Sequence, residues 1–97
     1  MSGAVRIISG QWRGRRLRVP DLDGLRPTGD RAREVVFNWL QDRVHGTRCL
    51  DLFAGTGALG LEAASRGASR VTLIERDRRL AEALRRLASE WPGSEVL

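Results

Sequence analysis

Val5, Ile7 and Ser9 alternate with Arg6, Ile8 and Gly10, a period of two that predicts a strand. Leu17 and Val19, interleaved with Arg16 and Arg18, repeat that period after a turn-like segment from Gly10 to Gly14. Residues 4–20 therefore read as a β-hairpin with an arginine-rich face. Residues 21–29, DLDGLRPTG, are a linker rich in turn formers. The spacing then becomes helical. Ala32, Val36, Leu40 and Val44 fall every four residues, with Val35 and Trp39 alongside. This predicts a helix to about residue 44, capped by Thr28 or Asp30 and burying that stripe. Phe37 lies off the stripe, so it meets either a neighbouring element or a ligand.

Residues 48–53 and 69–75 are apolar runs of strand length and predict buried strands, joined by a helix over 59–66 that Gly67 ends. Asp77 caps a further helix, in which Leu80, Leu84, Leu87 and Trp91 form an apolar stripe. Pro92 and Gly93 stop it, and Glu95, Val96 and Leu97 open another strand. Helix and strand thus alternate, which predicts an α/β fold. Residues 21–97 form the first part of a parallel doubly wound sheet, behind a basic hairpin extension in residues 1–20.

Composition narrows the class. With 97 residues, 41% hydrophobic and 30% charged, the chain reads as a folded unit and not as a disordered tail. No apolar run approaches the ~20 residues that span a bilayer, and residues 1–10 lack a signal peptide's apolar core. The expected compartment is the cytoplasm. A single cysteine, Cys49, excludes an internal disulfide framework and suits a reducing environment. There are 17 basic residues, all arginine, against 12 acidic ones, and the net charge of +5 implies a polyanionic partner, nucleic acid first. Arg6, Arg13, Arg15, Arg16 and Arg18 crowd the hairpin around Trp12, a set suited to phosphates and unpaired bases. The competing reading is a solvated hairpin face with Trp12 folded onto the body. His45, at a helix end with no second ligand nearby, is assigned to the helix dipole and not to a metal; no metal site is expected.

The stretch from Gly55 to Gly60, GTGALG, satisfies G-x-G-x-x-G, and Glu75 follows Gly55 by 20 residues. That pattern admits a dinucleotide site, another nucleoside cofactor or a purely structural strand-to-helix turn. Asp51 tips the balance. A carboxylate at the strand end, beside the helix N-terminus, would repel a pyrophosphate and attract a cationic amino group or sulfonium. S-adenosyl-L-methionine carries both groups, and Glu75 is placed to hold its ribose. A nicotinamide-dependent oxidoreductase fits the same argument poorly.

The segments VRIISGQWRGRRLRVP, GLRPTGDRAREVVFNWL, LDLFAGTGALGLEAASRGA and VTLIERD occur in that order along nearly the whole chain. Together they resemble the N-terminal half of the RsmD-type 16S ribosomal RNA guanine-N2 methyltransferases of bacteria. The resemblance implies a Rossmann-like fold, S-adenosyl-L-methionine as cofactor, and 16S rRNA or the assembling small ribosomal subunit as partner. It implies that Asp51, Phe53, Ala54, Gly55 and Gly57 form the cofactor loop, with Asp51 near the methionine part, and that Gly60 lets helix and strand pack closely. It makes Glu75 the acceptor of the ribose hydroxyls. Asp77 lines the adenine pocket or merely caps its helix. Arg26, Pro27, Thr28, Asp30, Arg31, Arg33 and Glu34 match the family's signature, with Arg26 and Thr28 closing over the methionine end and Arg31 and Arg33 contacting RNA. Asn38 and Trp39 continue the match, although helix packing also explains Trp39.

The family's catalytic motif, Asp or Asn followed by Pro-Pro and an aromatic residue, is not among these 97 residues. The 97 residues alone are therefore expected to be inactive in methyl transfer. The competing function is a non-catalytic RNA-binding module or an inactive fragment. Without a further strand beside residues 48–53, Leu50, Leu52 and Phe53 are expected to lie partly uncovered, at an edge that favours self-association.

Overall fold

The computed structural model describes residues 4–18, 29–52 and 54–97. Its elements are β1 (Ala4–Arg6), β2 (Arg16–Arg18), α1 (Asp30–Leu40), β3 (Arg48–Asp51), α2 (Ala58–Ser65), β4 (Arg70–Leu73), α3 (Arg78–Ala88) and β5 (Ser94–Val96). A short 3-10 turn over Gln41–Val44 finishes α1. β1 and β2 form the antiparallel hairpin, with Val5 opposite Leu17 and Arg6 opposite Arg16. β3, β4 and β5 form a parallel sheet in that order, Leu50 pairing with Thr72 and Thr72 with Glu95. The α/β architecture read from the sequence is the one observed.

α2 is the centre of the molecule. Its sequence, ALGLEAAS, is small and apolar apart from one acid, and seven of its eight residues are buried. Such a helix gains little from solvent and much from packing on both sides. The sheet covers one side through Val71 and Leu73, and the hairpin approaches from another through Val5, Ile7 and Leu17, all in one hydrophobic cluster. α3 closes the far side of that cluster with Leu84, and Trp91 follows it in the chain. Its apolar stripe is the expected one, with Leu80 and Leu87 half-buried at its margins. Asp77 caps α3 as expected, its carboxylate accepting the amides of Arg79 (2.9 Å) and Leu80 (3.2 Å).

Two expectations need correction. Of the Ala32–Val36–Leu40–Val44 stripe only Val44, in the closing 3-10 turn, is buried: Val35, Val36 and Leu40 are substantially exposed and Trp39 is 80% exposed. The helix turns Arg33 and Phe37 inward instead. The cause is electrostatic. Arg33 meets the buried carboxylate of Glu62, a charge whose desolvation costs several kcal/mol if left unpaired. Phe37 meets a neighbouring element, the Arg66 guanidinium lying 4.6 Å from its ring centroid. β3, in turn, is not buried. Among the described residues it pairs only with β4, and Leu50 and Leu52 are 60% and 56% exposed. The partly uncovered edge expected at these two leucines is present.

Candidate functional site

The first candidate site lies where β3 and β4 end. The ladder continues one step beyond the strands, Ile74 donating its amide to the Asp51 carbonyl (2.8 Å) and Ala54 donating to the Ile74 carbonyl (3.0 Å). Asp51, half-buried at the tip of β3, stands opposite Leu73, two residues before Glu75, which follows β4 at the same end of the sheet. The chain then folds into the glycine loop. Gly57, the residue before α2, has φ of 84°, a left-handed conformation that costs residues with a Cβ about 1–2 kcal/mol. A Cβ on Gly60 would stand 2.2 Å from a methyl of Leu73, so α2 packs against β4 at a distance only glycine permits. This is the close approach expected of the third motif glycine.

Glu75 organises the loop. One carboxylate oxygen accepts the Gly55 amide (2.9 Å) and the other accepts the Asp77 amide (2.9 Å). The side chain thus spans the glycine loop and the start of α3. A carboxylate offers about four acceptor sites, so two backbone bonds leave capacity for hydroxyl donors of a ligand. A cleft of about 450 Å³ opens beside it, lined by Leu52, Ile74, Glu75, Arg76 and Asp77. Ile74 and Arg76 were not singled out from the sequence, and Leu52 was read there only as part of an uncovered edge. An apolar residue at a strand end reads as core until the sheet's edge is known. The donor set suits a ligand with a diol, a flat apolar ring and a positive charge: two carboxylates, backbone amides already engaged, and apolar walls. Ala54, Gly55 and Gly57 sit in this loop as expected. Phe53, Arg26 and Thr28, assigned to the same pocket from the sequence, lie outside the described residues.

The second candidate is the basic hairpin. Arg6, Arg13 and Arg16 are exposed, as is Arg31 on α1. Arg18 lies on β2 opposite Ala4. Arg15 is exposed but rests on Trp91, 4.4 Å from its ring centroid. Trp12 is half-buried, edge-on to Trp91 at 4.5 Å, so it folds onto the body and does not stand free at the turn. Arg33 has no exposed surface, and its assignment to RNA contact is corrected: both its Nη atoms are taken, one by Glu62 (3.0 Å) and one by Asp30.

Glu62 is the residue that sequence reasoning missed. Fully enclosed, it accepts the amides of Ile8 (2.9 Å) and Ser9 (3.1 Å) and the guanidiniums of Arg33 and Arg66 (3.0 Å each). One signal was available: it is the lone charge in an otherwise apolar and small helix. Ser65, one turn on, accepts the Trp12 amide and donates to the Ser9 carbonyl (2.7 Å), completing a polar seam between hairpin and α2. Among the described residues no His, Cys, Asp and Glu group could hold a metal ion, and no helix is long and apolar enough to cross a membrane.

Comparison with known proteins follows the same lines. The family described as "Conserved hypothetical protein 95" matches residues 5–93. The curated "Ribosomal RNA small subunit methyltransferase D" of Escherichia coli K12 is 61% identical over 83 residues, covering 86% of this chain and 42% of that protein. Its namesake in Haemophilus influenzae is 55% identical over 84 residues, covering 87% and 44%. A solved structure described as a putative methyltransferase from Escherichia coli superposes with a TM-score of 0.86 at 50% identity, over 98% of this chain and 52% of that one. The chain therefore spans under half the length of these two curated relatives.

Proposed function

Since the chain belongs to the Conserved hypothetical protein 95 family, we propose that it is the cofactor-binding half of an S-adenosyl-L-methionine-dependent methyltransferase. Its target in this reading is the exocyclic N2 of a guanine in 16S rRNA of the small ribosomal subunit. The observation that carries the reading is the Glu75 carboxylate bridging the amides of Gly55 and Asp77, at the same end of the sheet as Asp51. Asp51 presents negative charge where a dinucleotide would need to place its phosphates, which favours a cationic ligand. Glu75 accepts the ribose hydroxyls, Ala54, Gly55 and Gly57 shape the loop around the ligand, and Leu52 and Ile74 flank the base. When bound, the cofactor supplies an electrophilic methyl group on a sulfonium. The exposed arginines of the hairpin, with Arg31, hold the RNA backbone. Methyl transfer also needs an acceptor for the guanine amine and a platform for the extruded base, which this half does not include.

Isothermal titration of the chain with S-adenosyl-L-methionine and with NADH tests this. Saturable binding of the first alone is expected. Asp51→Asn weakens it about tenfold or more, the loss of a charge-assisted contact. The triple variant R13A/R15A/R16A leaves it within about twofold while lowering RNA affinity and its salt dependence. Binding of NADH in place of the methyl donor would overturn the cofactor assignment.

A further inference from the structure

Between the hairpin and the start of α1 lies a cleft of about 350 Å³, lined by Arg6, Ile7, Ile8, Arg13, Asp30 and Glu34. It stands apart from the Glu75 cleft and shares no lining residue with it. Its charges are unusual in arrangement. Two arginines on the hairpin wall face two carboxylates on the helix wall. Among the described residues, Arg6, Arg13 and Glu34 make no ion pair, although all three line one small space. Asp30 alone is engaged, by Arg33.

The walls are fixed from beneath. The amide of Ile8, which lines the cleft, and that of Ser9 next to it bond to buried Glu62, and Glu62 binds Arg33, which projects from the same turn of α1 as Asp30 and Glu34. A buried ionic seam therefore sets the distance between the cationic and anionic walls before any ligand arrives. Preorganisation of that kind reduces the ordering cost of binding.

We propose that this cleft is a nucleotide subsite for the RNA strand, with a phosphate on Arg6 and Arg13 and a guanine edge on Glu34. A lone phosphate would meet the carboxylates at a cost, and a cation would meet the arginines. A nucleotide satisfies both walls, because it joins an anion to a base edge. Carboxylates only accept, so they select bases by their N–H donors. Guanine offers two adjacent donors, N1–H and the N2 amine, matched to the two oxygens of one carboxylate. Uracil offers one donor between two acceptors. The inference rests on the RNA reading above and specifies which base the hairpin side would select.

The test is binding of short single-stranded RNA by fluorescence anisotropy. One strand carries a guanosine in a uridine background; the other carries inosine, which lacks the N2 amine, at the same place. The chain is expected to prefer the guanosine strand about tenfold. Glu34→Gln, at an exposed position without side-chain partners, brings the two strands within about twofold and leaves the salt slope unchanged. Removing a negative charge also strengthens binding to the inosine strand, an increase that a merely damaged fold would not produce. Arg13→Ala weakens both strands alike and reduces the salt slope by about 0.7. Binding of both strands with equal affinity by the unaltered chain overturns the subsite and leaves the RNA reading intact. Binding of neither overturns both. A guanosine preference that survives Glu34→Gln overturns the subsite.

Discussion

α1 has two faces with opposite histories. Its inner face turns a charged residue, Arg33, into the protein, where Glu62 meets it. Its outer face leaves Val35, Val36, Trp39 and Leu40 towards solvent, and Val36 and Leu40 share a shallow cleft with the exposed Leu50 of the β3 edge. An apolar helix face has been left out while an ionic one has been taken in. The difference is one of consequence. A buried carboxylate without partners costs several kcal/mol, so Glu62 dictates what surrounds it. An exposed valine or leucine forfeits only about 1.5–3 kcal/mol of potential burial, and its surface stays available to a later partner.

The strongest way to break this contrast is to remove the charge at its centre. Glu62→Ala orphans the amides of Ile8 and Ser9, strips Arg66 of its partner and leaves buried Arg33 with Asp30 alone. A loss of about 3–5 kcal/mol is expected, most of the stability of a domain this size. Urea denaturation followed by circular dichroism measures it. Arg33→Ala costs somewhat less, because Arg66 still pairs with Glu62. A loss below about 1 kcal/mol in both variants would show that the seam is not what closes this side.

That seam also explains what the sequence made legible. The hairpin, the parallel order of helix and strand, the Asp77 cap and the glycine loop each follow from local rules: a period of two, an N-cap, left-handed glycines. Asp51 and Glu75 were readable because strand ends and loop spacing place them without knowledge of packing. α1 was misread by about a quarter turn. Hydrophobic periodicity assumes that the apolar stripe is the buried one, and here a contact 29 residues away in sequence overrules it. Arg33 was counted as a surface cation for the same reason. Trp12 was ambiguous until Trp91, distant in sequence, supplied a surface to lean on.

The open face predicts association and not instability. Leu50 and Leu52 sit at an edge whose outer side has no partner strand among the described residues. Apolar edges of that type pair with other chains. The 97-residue chain is expected to form dimers or larger species in sedimentation velocity at micromolar concentration. Leu50→Lys with Leu52→Glu reverses this and changes unfolding free energy by less than about 0.5 kcal/mol per site, the usual range for exposed positions. A chain that sediments as a monomer before substitution would overturn the reading of this edge as an associating one.

The smallest effect comes from a second arginine–glutamate pair, which isolates what burial contributes to the first. Arg70 and Glu95 bond side by side on β4 and β5, Nε to Oε1 at 2.9 Å and Nη2 to Oε2 at 2.7 Å, with the Thr72 hydroxyl donating to the same carboxylate. The geometry is as good as at Glu62, but both side chains face water. The Arg70 hydrogen bond, reinforced by Thr72, holds the Glu95 carboxyl below its ordinary pKa, and Glu95 raises that of Arg70. A carboxyl lowered in the folded state stabilises above its unfolded pKa, and that contribution disappears as pH falls through the folded value. The pair should therefore add a slight acid-side slope to the stability curve below about pH 5, as free glutamate, half protonated near pH 4.3, begins to take up protons. Added salt should flatten that slope, and Glu95→Gln should abolish it while leaving the neutral-pH midpoint nearly unchanged. If Glu95→Gln instead destabilised the chain as much as Glu62→Ala, enclosure would not be the property that separates the two pairs. The contrast between the two faces of α1 would then need another cause.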